Sequence, residues 1–247
     1  MKLDILRSFF FKAFSIDESY FSVFKPKNPL FIVSYPRSGN TLLRIALAES
    51  LKRQELKIEN IDKYSIDLFQ TNFLSLLKQN KLQMQLVKWH GFPMPLHEGA
   101  KLIYIHRDPK NVCKSYYSYL RYRHKKINKS SKDFIENFLG KNKDIFGSWE
   151  NHFLLWKDFI KSEKGLIIDF DDLIHNKELV FDEIKKYCKS DYFNKEWFLK
   201  SINKKRSFKN KGGVDFFKSK AGHEDFNKAI EEYEDKFIAL NHLRNCT

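Results

Sequence analysis

An apolar run that breaks into a tight polar turn and resumes at once as a helical pattern constrains this chain most. It reads Pro29-Leu30-Phe31-Ile32-Val33-Ser34-Tyr35-Pro36-Arg37-Ser38-Gly39-Asn40-Thr41-Leu42-Leu43-Arg44-Ile45-Ala46-Leu47. Residues 30–33 predict a short buried strand, Pro36 and Gly39 punctuate the turn, and Leu42, Leu43, Ala46 and Leu47 recur at helical spacing. A strand–loop–helix aims backbone N–H groups and the positive end of a helix dipole at one point, a natural anion site and above all a phosphate site. Arg37 adds a cation there, and Ser38 and Thr41 add hydroxyl donors.

The pattern of that first unit recurs. Residues 86–90, 101–107 and 165–170 predict three more strands. Helical patterns cover 109–119, 149–161 and 171–189, and an amphipathic helix carrying Phe226, Ile230, Tyr233 and Phe237 closes the chain. Residues 54–84 read as helical or irregular. Strands alternating with helices predict an α/β fold, a three-layer, doubly wound and mostly parallel sheet. No repeat or Gly/Ser/Pro linker divides the 247 residues, so a single domain over 1–247 is expected, with its core at about 29–240. Ligands of such sheets bind beyond the C-terminal ends of the strands, where the polar clusters at 34–41, 88–90 and 106–115 all fall.

A net charge of +14 favours an anionic partner. Lys, Asn, Ile and Phe are enriched together, so part of that lysine is compositional bias on a solvated surface. Cys113, Cys188 and Cys246 have neither pairing nor metal spacing, which points to a reducing, cytoplasmic setting. His97, His124, His175 and His223 lack metal-ligand spacing, and no metal is expected. No run approaches the ~18 apolar residues of a membrane span. Leu3, Leu6, Phe10 and Phe14 predict a short amphipathic helix packed on the domain. The basic stretch at 121–132 reads as an anionic-substrate loop or solvated surface, and no nucleic-acid partner is expected.

The opening loop is not the G-x-x-x-x-G-K-[ST] nucleoside-triphosphate cradle, because Asn40 stands where that motif needs Lys. Residues 34–42 instead resemble the T-Y-P-K-S-G-T-T-W phosphosulfate loop of the sulfotransferases that use 3′-phosphoadenosine 5′-phosphosulfate, with Arg37 in place of Lys. Three further stretches follow in that family's order. Lys88-Trp89-His90 resembles K-T-H. Arg107-Asp108-Pro109-Lys110-Asn111-Val112-Cys113-Lys114-Ser115 resembles the 3′-phosphate motif R-x-P-x-D-x-x-x-S, with Asn111 where Asp is commoner. The basic segment at 200–223 stands where the family closes over its nucleotide with R-K-G and G-D-W, in one of two registers: Lys211-Gly212-Gly213, or the stretch holding Lys218 and Lys220. The second better fits the flanking phenylalanines. Trp149, His152 and Trp156 resemble a structural helix of the family, and residues 169–173 resemble its Y-E-D-L, with Phe170 unable to offer a Tyr hydroxyl to adenine.

The resemblance implies direct in-line transfer of a sulfuryl group to a hydroxyl or amine of a small-molecule, carbohydrate or peptide acceptor, without a metal. It implies donor contacts from Tyr35, Pro36, Arg37, Ser38, Gly39, Asn40 and Thr41, with Arg107 and Ser115 on the 3′-phosphate and Lys218 and Lys220 closing over the nucleotide. His90 would remove the acceptor proton, while Lys88 and Arg37 stabilise the transferring group. Trp89, in place of Thr, is expected to reshape the acceptor pocket, formed by residues 43–85 and 119–147. Two rival readings are a P-loop kinase, against which the missing Gly-Lys-[Ser/Thr] argues, and a non-catalytic nucleotide- or nucleic-acid-binding domain on the same fold.

Overall fold

In the computed structural model, residues 28–68, 83–94, 96, 98–124, 130–141, 145–204 and 224–245 are described. Strand β1 (Pro29–Val33) runs into helix α1 (Asn40–Lys52). A 3-10 turn (Ile58–Lys63) then leads to β2 (Ser65–Asp67), and β3 (Gln85–Trp89) and β4 (Lys101–His106) follow. Helices α2 (Pro109–His124), α3 (Ser131–Glu136) and α4 (Trp149–Glu163) precede β5 (Leu166–Asp169). The chain continues through α5 (Phe170–His175), α6 (Lys177–Cys188), α7 (Lys195–Asn203), α8 (Glu224–Glu231) and α9 (Glu234–Asn245).

The five strands form one sheet in the order β2-β3-β1-β4-β5, and every pairing is parallel. A parallel sheet must be covered on both faces, and β1 shows how the sequence meets that demand. Leu30 and Ile32 face one side and pack with Leu43 and Leu47 of α1, Ile184 of α6 and Phe198 of α7. Phe31 and Val33 face the other side, with Val112 of α2, Trp149, Phe153 and Trp156 of α4, and Phe226 and Phe237 of the last two helices. The second layer is strongly aromatic: Trp149 stacks on Phe153 at 5.0 Å between ring centroids, an arrangement that adds about 0.5–1.5 kcal/mol beyond area burial.

Three details depart from the sequence reading. β2 lies inside the stretch read as helical or irregular; it has three residues, too few for a period-2 pattern to show. The 171–189 helix divides at Asn176, whose φ of −116° and ψ of 32° end α5 and start α6, a position that suits a side chain able to compete for backbone bonds. The sequence reading assigns no element to α7; Asn194 caps it by accepting from the Trp197 N–H at 3.1 Å.

The order of strands places β1 between β3 and β4, so the chain leaves β1 at a topological switch point. The loops that follow β1, β3 and β4 therefore open side by side at one edge of the sheet.

Two buried histidines make the fold acid-sensitive. Burial pulls the pKa of His106 down to about 3, helped by the nearby Arg244 cation, and burial pulls His152 down to about 3 as well. Both are neutral when folded and titrate near ~6.5 when unfolded. Below that pH the unfolded chain takes up protons that the folded one refuses, so stability is complete above about pH 6.5 and falls steadily toward pH 3. Unfolding free energies from urea titrations at pH 7, 6 and 5 should decline by on the order of 1 kcal/mol per histidine per pH unit; equal values at the three pH values would contradict this.

Candidate active site

The loop at 34–41 turns where an ordinary side chain cannot. Gly39 has φ +105°, and a Cβ there would stand 2.3 Å from Cδ2 of Phe170. Arg37 has a positive φ of 74° without being glycine, a conformation that stores strain on the order of 1 kcal/mol or more. The loop ends at the start of α1, which has no side-chain cap and no acidic residue in its first turn. Its first N–H groups thus lack the partner that a cap supplies elsewhere, and the helix dipole there is open to an anion. Ser38 Oγ is fully buried without a hydrogen-bond partner among the described residues.

Of the loop residues expected to meet a ligand, some turn inward. Asn40 is 3% exposed; its amide donates to the Ile32 carbonyl at 2.8 Å and to Ser34 Oγ at 3.3 Å, tying the loop to β1. The Tyr35 ring is in the core, and its hydroxyl donates to the Gly147 carbonyl at 3.3 Å. Pro36 is buried, and Arg37, Gly39 and Thr41 are partly exposed. Asn40 and Tyr35 thus engage the fold with their side chains.

The neighbouring strand ends supply the rest. Arg107, just past β4, lies over the Phe170 ring with its guanidinium carbon 4.5 Å from the ring centroid, and its Nε is buried without a hydrogen-bond partner among the described residues. Phe170 is thus a floor under both Gly39 and Arg107. Arg37 Nε donates to Ser115 Oγ of α2 at 3.1 Å, and its guanidinium sits 5.0 Å from the Tyr119 ring. The loop cation and the hydroxyl of the third motif are therefore adjacent. Lys218, Lys220, Lys211 and Gly212 lie outside the described residues.

The parallel register of β1 and β3 pairs Val33 with Trp89, which sets Ser34 beside His90. His90 Nδ1 donates to the Ser34 carbonyl at 2.7 Å and lies 3.2 Å from Ser34 Oγ. A carbonyl only accepts, so the ring hydrogen is on Nδ1 and the lone pair is on Nε2. Burial holds the His90 pKa well below its ordinary value, and the Lys88 ammonium lowers it further. The Phe146 ring stands 6.1 Å from the imidazole.

Lys88 is placed differently from the expectation. The register pairs it with Asp67 of β2, and its Nζ donates to Asp67 Oδ2 at 2.6 Å. Arg44 of α1, 3% exposed, donates to Ser65 Oγ at 3.2 Å and approaches Asp62 at 3.8 Å. Burial lowers the pKa of Lys88 and of Arg44, and Asp67 opposes that shift in both. Trp89 also differs from the expectation. It is 4% exposed, packs in the aromatic layer and donates from Nε1 to the Phe92 carbonyl at 2.9 Å. Its ring fills the space where a Cβ on Gly91 would stand, 2.4 Å from Trp89 Cζ2. The indole shapes the turn after β3 from beneath.

The sequence profile of the sulfotransferase domain matches residues 27–238. The chain belongs to the sulfotransferase family. Human sulfotransferase 4A1 is 25% identical over 168 residues, covering 64% of this chain and 58% of that protein. Mouse sulfotransferase 1E1 is 28% identical over 173 residues, covering 64% and 56%. The match thus spans under two thirds of the length of these relatives. Among solved structures, mouse sulfotransferase SULT7A1 complexed with PAP superposes with a TM-score of 0.57 at 19% identity, covering 92% of this chain and 91% of that one. Retinol dehydratase in a complex with retinol and PAP gives a TM-score of 0.53 at 15% identity, covering 87% and 82%. At these identities the likeness is one of fold. Among the described residues no helix is long and apolar enough to cross a membrane.

Three substitutions test the site's construction. Asp67→Ala leaves a buried ammonium without its carboxylate and should destabilise the fold by about 3–5 kcal/mol. Adding Lys88→Met should recover most of that loss in chemical denaturation. A double mutant no more stable than Asp67→Ala would mean that the pair is not coupled. Gly39→Ala should displace the Phe170 ring and the Arg107 guanidinium that lies on it, with a loss of about 1–3 kcal/mol in chemical denaturation. Unchanged stability would contradict the close approach.

Proposed function

We propose that this sulfotransferase-family protein moves a sulfuryl group from 3′-phosphoadenosine 5′-phosphosulfate to a hydroxyl or amine of a small-molecule acceptor, by direct in-line displacement. The observation that carries the reading is the placement of His90. A neutral imidazole with its lone pair on Nε2 stands beside the 34–41 loop, and that loop has the donors and open helix end of an anion site.

The residues present fit such a donor. Its two charged ends need two anion sites, and two features support them. One is the 34–41 loop, with the buried Ser38 hydroxyl and the first N–H groups of α1. The other is Arg107, whose buried Nε has no hydrogen-bond partner among the described residues and whose guanidinium is held flat on Phe170. Arg37 of the loop donates to Ser115 of α2. The PAP found in SULT7A1 and in retinol dehydratase supports a donor of this class. Lys218 and Lys220 would close over the nucleotide.

When bound, the donor supplies an activated sulfuryl group whose departure leaves charge on a phosphate oxygen. Loop N–H groups and Arg37 stabilise that charge, as preorganised donors do in other acyl and phosphoryl transfers. His90 accepts the acceptor proton at Nε2. Its depressed pKa keeps it in the basic form at neutral pH and below. Lys88, held by Asp67 at the end of β3, adds positive potential without being a flexible arm. The acceptor would meet His90 at Nε2, with the Phe146 ring 6.1 Å from the imidazole.

His90→Ala should lower turnover of labelled donor by about 10²–10⁴-fold while affinity for adenosine 3′,5′-bisphosphate changes less than twofold. Loss of nucleotide affinity would make His90 structural instead. Arg107→Ala should weaken adenosine 3′,5′-bisphosphate far more than adenosine 5′-monophosphate. Equal weakening of the two would overturn the assignment of Arg107 to the 3′-phosphate.

A further inference from the structure

We propose that His152 is a positioning residue for His90: with Trp156 and Tyr104 it clamps the His90 peptide, so that the catalytic imidazole holds one tautomer and one orientation. This rests on His90 as the base of the reaction, but its geometry stands apart from any nucleotide.

His90 lies one residue beyond β3, where the sheet no longer fixes the backbone. α4 takes over that task. His152 Nε2 donates to the His90 carbonyl at 3.0 Å, and Trp156 Nε1 donates to the Gly91 carbonyl at 2.8 Å. These donors are four residues apart, on one helix face, and they grip two successive carbonyls of the same turn. Both side chains are fully buried. α4 itself is set by Ser148, which caps it by accepting from the Asn151 N–H at 3.2 Å.

The His152 tautomer is fixed in turn. Because its Nε2 faces a carbonyl, the ring hydrogen is on Nε2 and Nδ1 accepts. The Tyr104 hydroxyl of β4 donates to that Nδ1 at 3.1 Å. Burial keeps the imidazole neutral, with its pKa lowered to about 3, so the donor–acceptor order holds across the working pH range. The result is a continuous chain: Tyr104 hydroxyl to His152, His152 to the His90 carbonyl, and His90 Nδ1 to the Ser34 carbonyl at 2.7 Å. The last bond keeps the lone pair on Nε2. If the His90 peptide rotates, Nδ1 loses the Ser34 carbonyl and the tautomer is no longer specified. The Trp149, His152 and Trp156 spacing thus serves two ends. Trp149 is packing alone in this account, stacked on Phe153, whereas His152 and Trp156 spend their only ring N–H groups on the catalytic turn.

Histidine ¹⁵N and ¹³C labelling tests this without knowledge of the acceptor, because long-range proton–nitrogen spectra distinguish Nδ1–H from Nε2–H imidazoles. In the wild-type protein His90 should read as the Nδ1–H form and His152 as the Nε2–H form. His152→Phe keeps ring volume but loses the donor. The His90 nitrogen shifts should move toward the average of the two tautomers, while affinity for adenosine 3′,5′-bisphosphate stays within twofold. His152→Gln, which returns a donor at a similar reach, should restore the wild-type shifts. His90 signals unchanged in a folded His152→Phe protein would overturn the proposal, as would failure of a folded His152→Gln protein to restore them. If His152→Phe does not fold, Trp156→Phe removes the donor on the Gly91 carbonyl; it should move the His90 nitrogen shifts in the same direction, and an unaffected His90 in a folded Trp156→Phe protein would again overturn the clamp. A His90 locked in this way, in a protein whose turnover survives His90→Ala, would refute the role of His90 as base and leave the clamp standing.

Discussion

The hydrogen bond from His90 to the Ser34 carbonyl joins the ends of two adjacent strands, and the site depends on it. It exists because β1 and β3 pair in parallel with Val33 opposite Trp89, so the residue after each strand meets the residue after the other. That register follows from burial on both faces of the sheet. A slip by one residue would turn Leu30 and Ile32 to the aromatic layer and send Lys88 away from Asp67. Packing of the core and chemistry of the site are thus consequences of one alignment.

Charge is arranged by the same logic. Lys88 and Arg44 both feel a buried carboxylate on β2, and Asp62 stands beside Arg44; both cations lower the pKa of His90. Such a cluster offers little as a source of stability, since desolvation offsets the attraction within it. Its value lies in position: it lowers the basicity of His90 and favours an anion nearby. Arg107 belongs to the same scheme on the far side of β1. Its guanidinium is spread on Phe170, a contact that holds the cation without neutralising it. Phe170 cannot offer a hydroxyl, but it sets the depth of both the Gly39 turn and Arg107.

Much of this was legible from residues in order. The strand–loop–helix at 29–47, the four longer strands, the placement of His90 and Arg107 near strand ends and that of Ser115 in the helix after β4 all follow from local pattern and turn chemistry. What was not legible is set by register and by contacts far apart in sequence. β2 is three residues long, so Asp67 had no visible strand to sit on and its pairing with Lys88 could not be foreseen. Trp89 reads from the sequence as a bulky group beside the site that reshapes the acceptor pocket. Alternation along β3 sends it to the aromatic layer instead, where Gly91 makes room for it. Asn40 looked like a ligand donor. At the start of α1 its side chain finds the backbone of β1 closer than solvent. His152 was read as part of a structural helix, and nothing in its spacing revealed that its partner would be the His90 carbonyl, 62 residues away.

The central claim is that two anion sites, the 34–41 loop and Arg107, grip the two charged ends of one nucleotide. Calorimetry of the wild-type protein in the absence of divalent cations tests it most directly. Adenosine 3′,5′-bisphosphate should bind at least tenfold more tightly than adenosine 5′-monophosphate, since a charge-assisted hydrogen bond contributes about 1.5–3 kcal/mol. ATP with Mg²⁺ should compete with neither. Equal affinity for the mono- and bisphosphate, or tight binding of ATP only with Mg²⁺, would contradict the account.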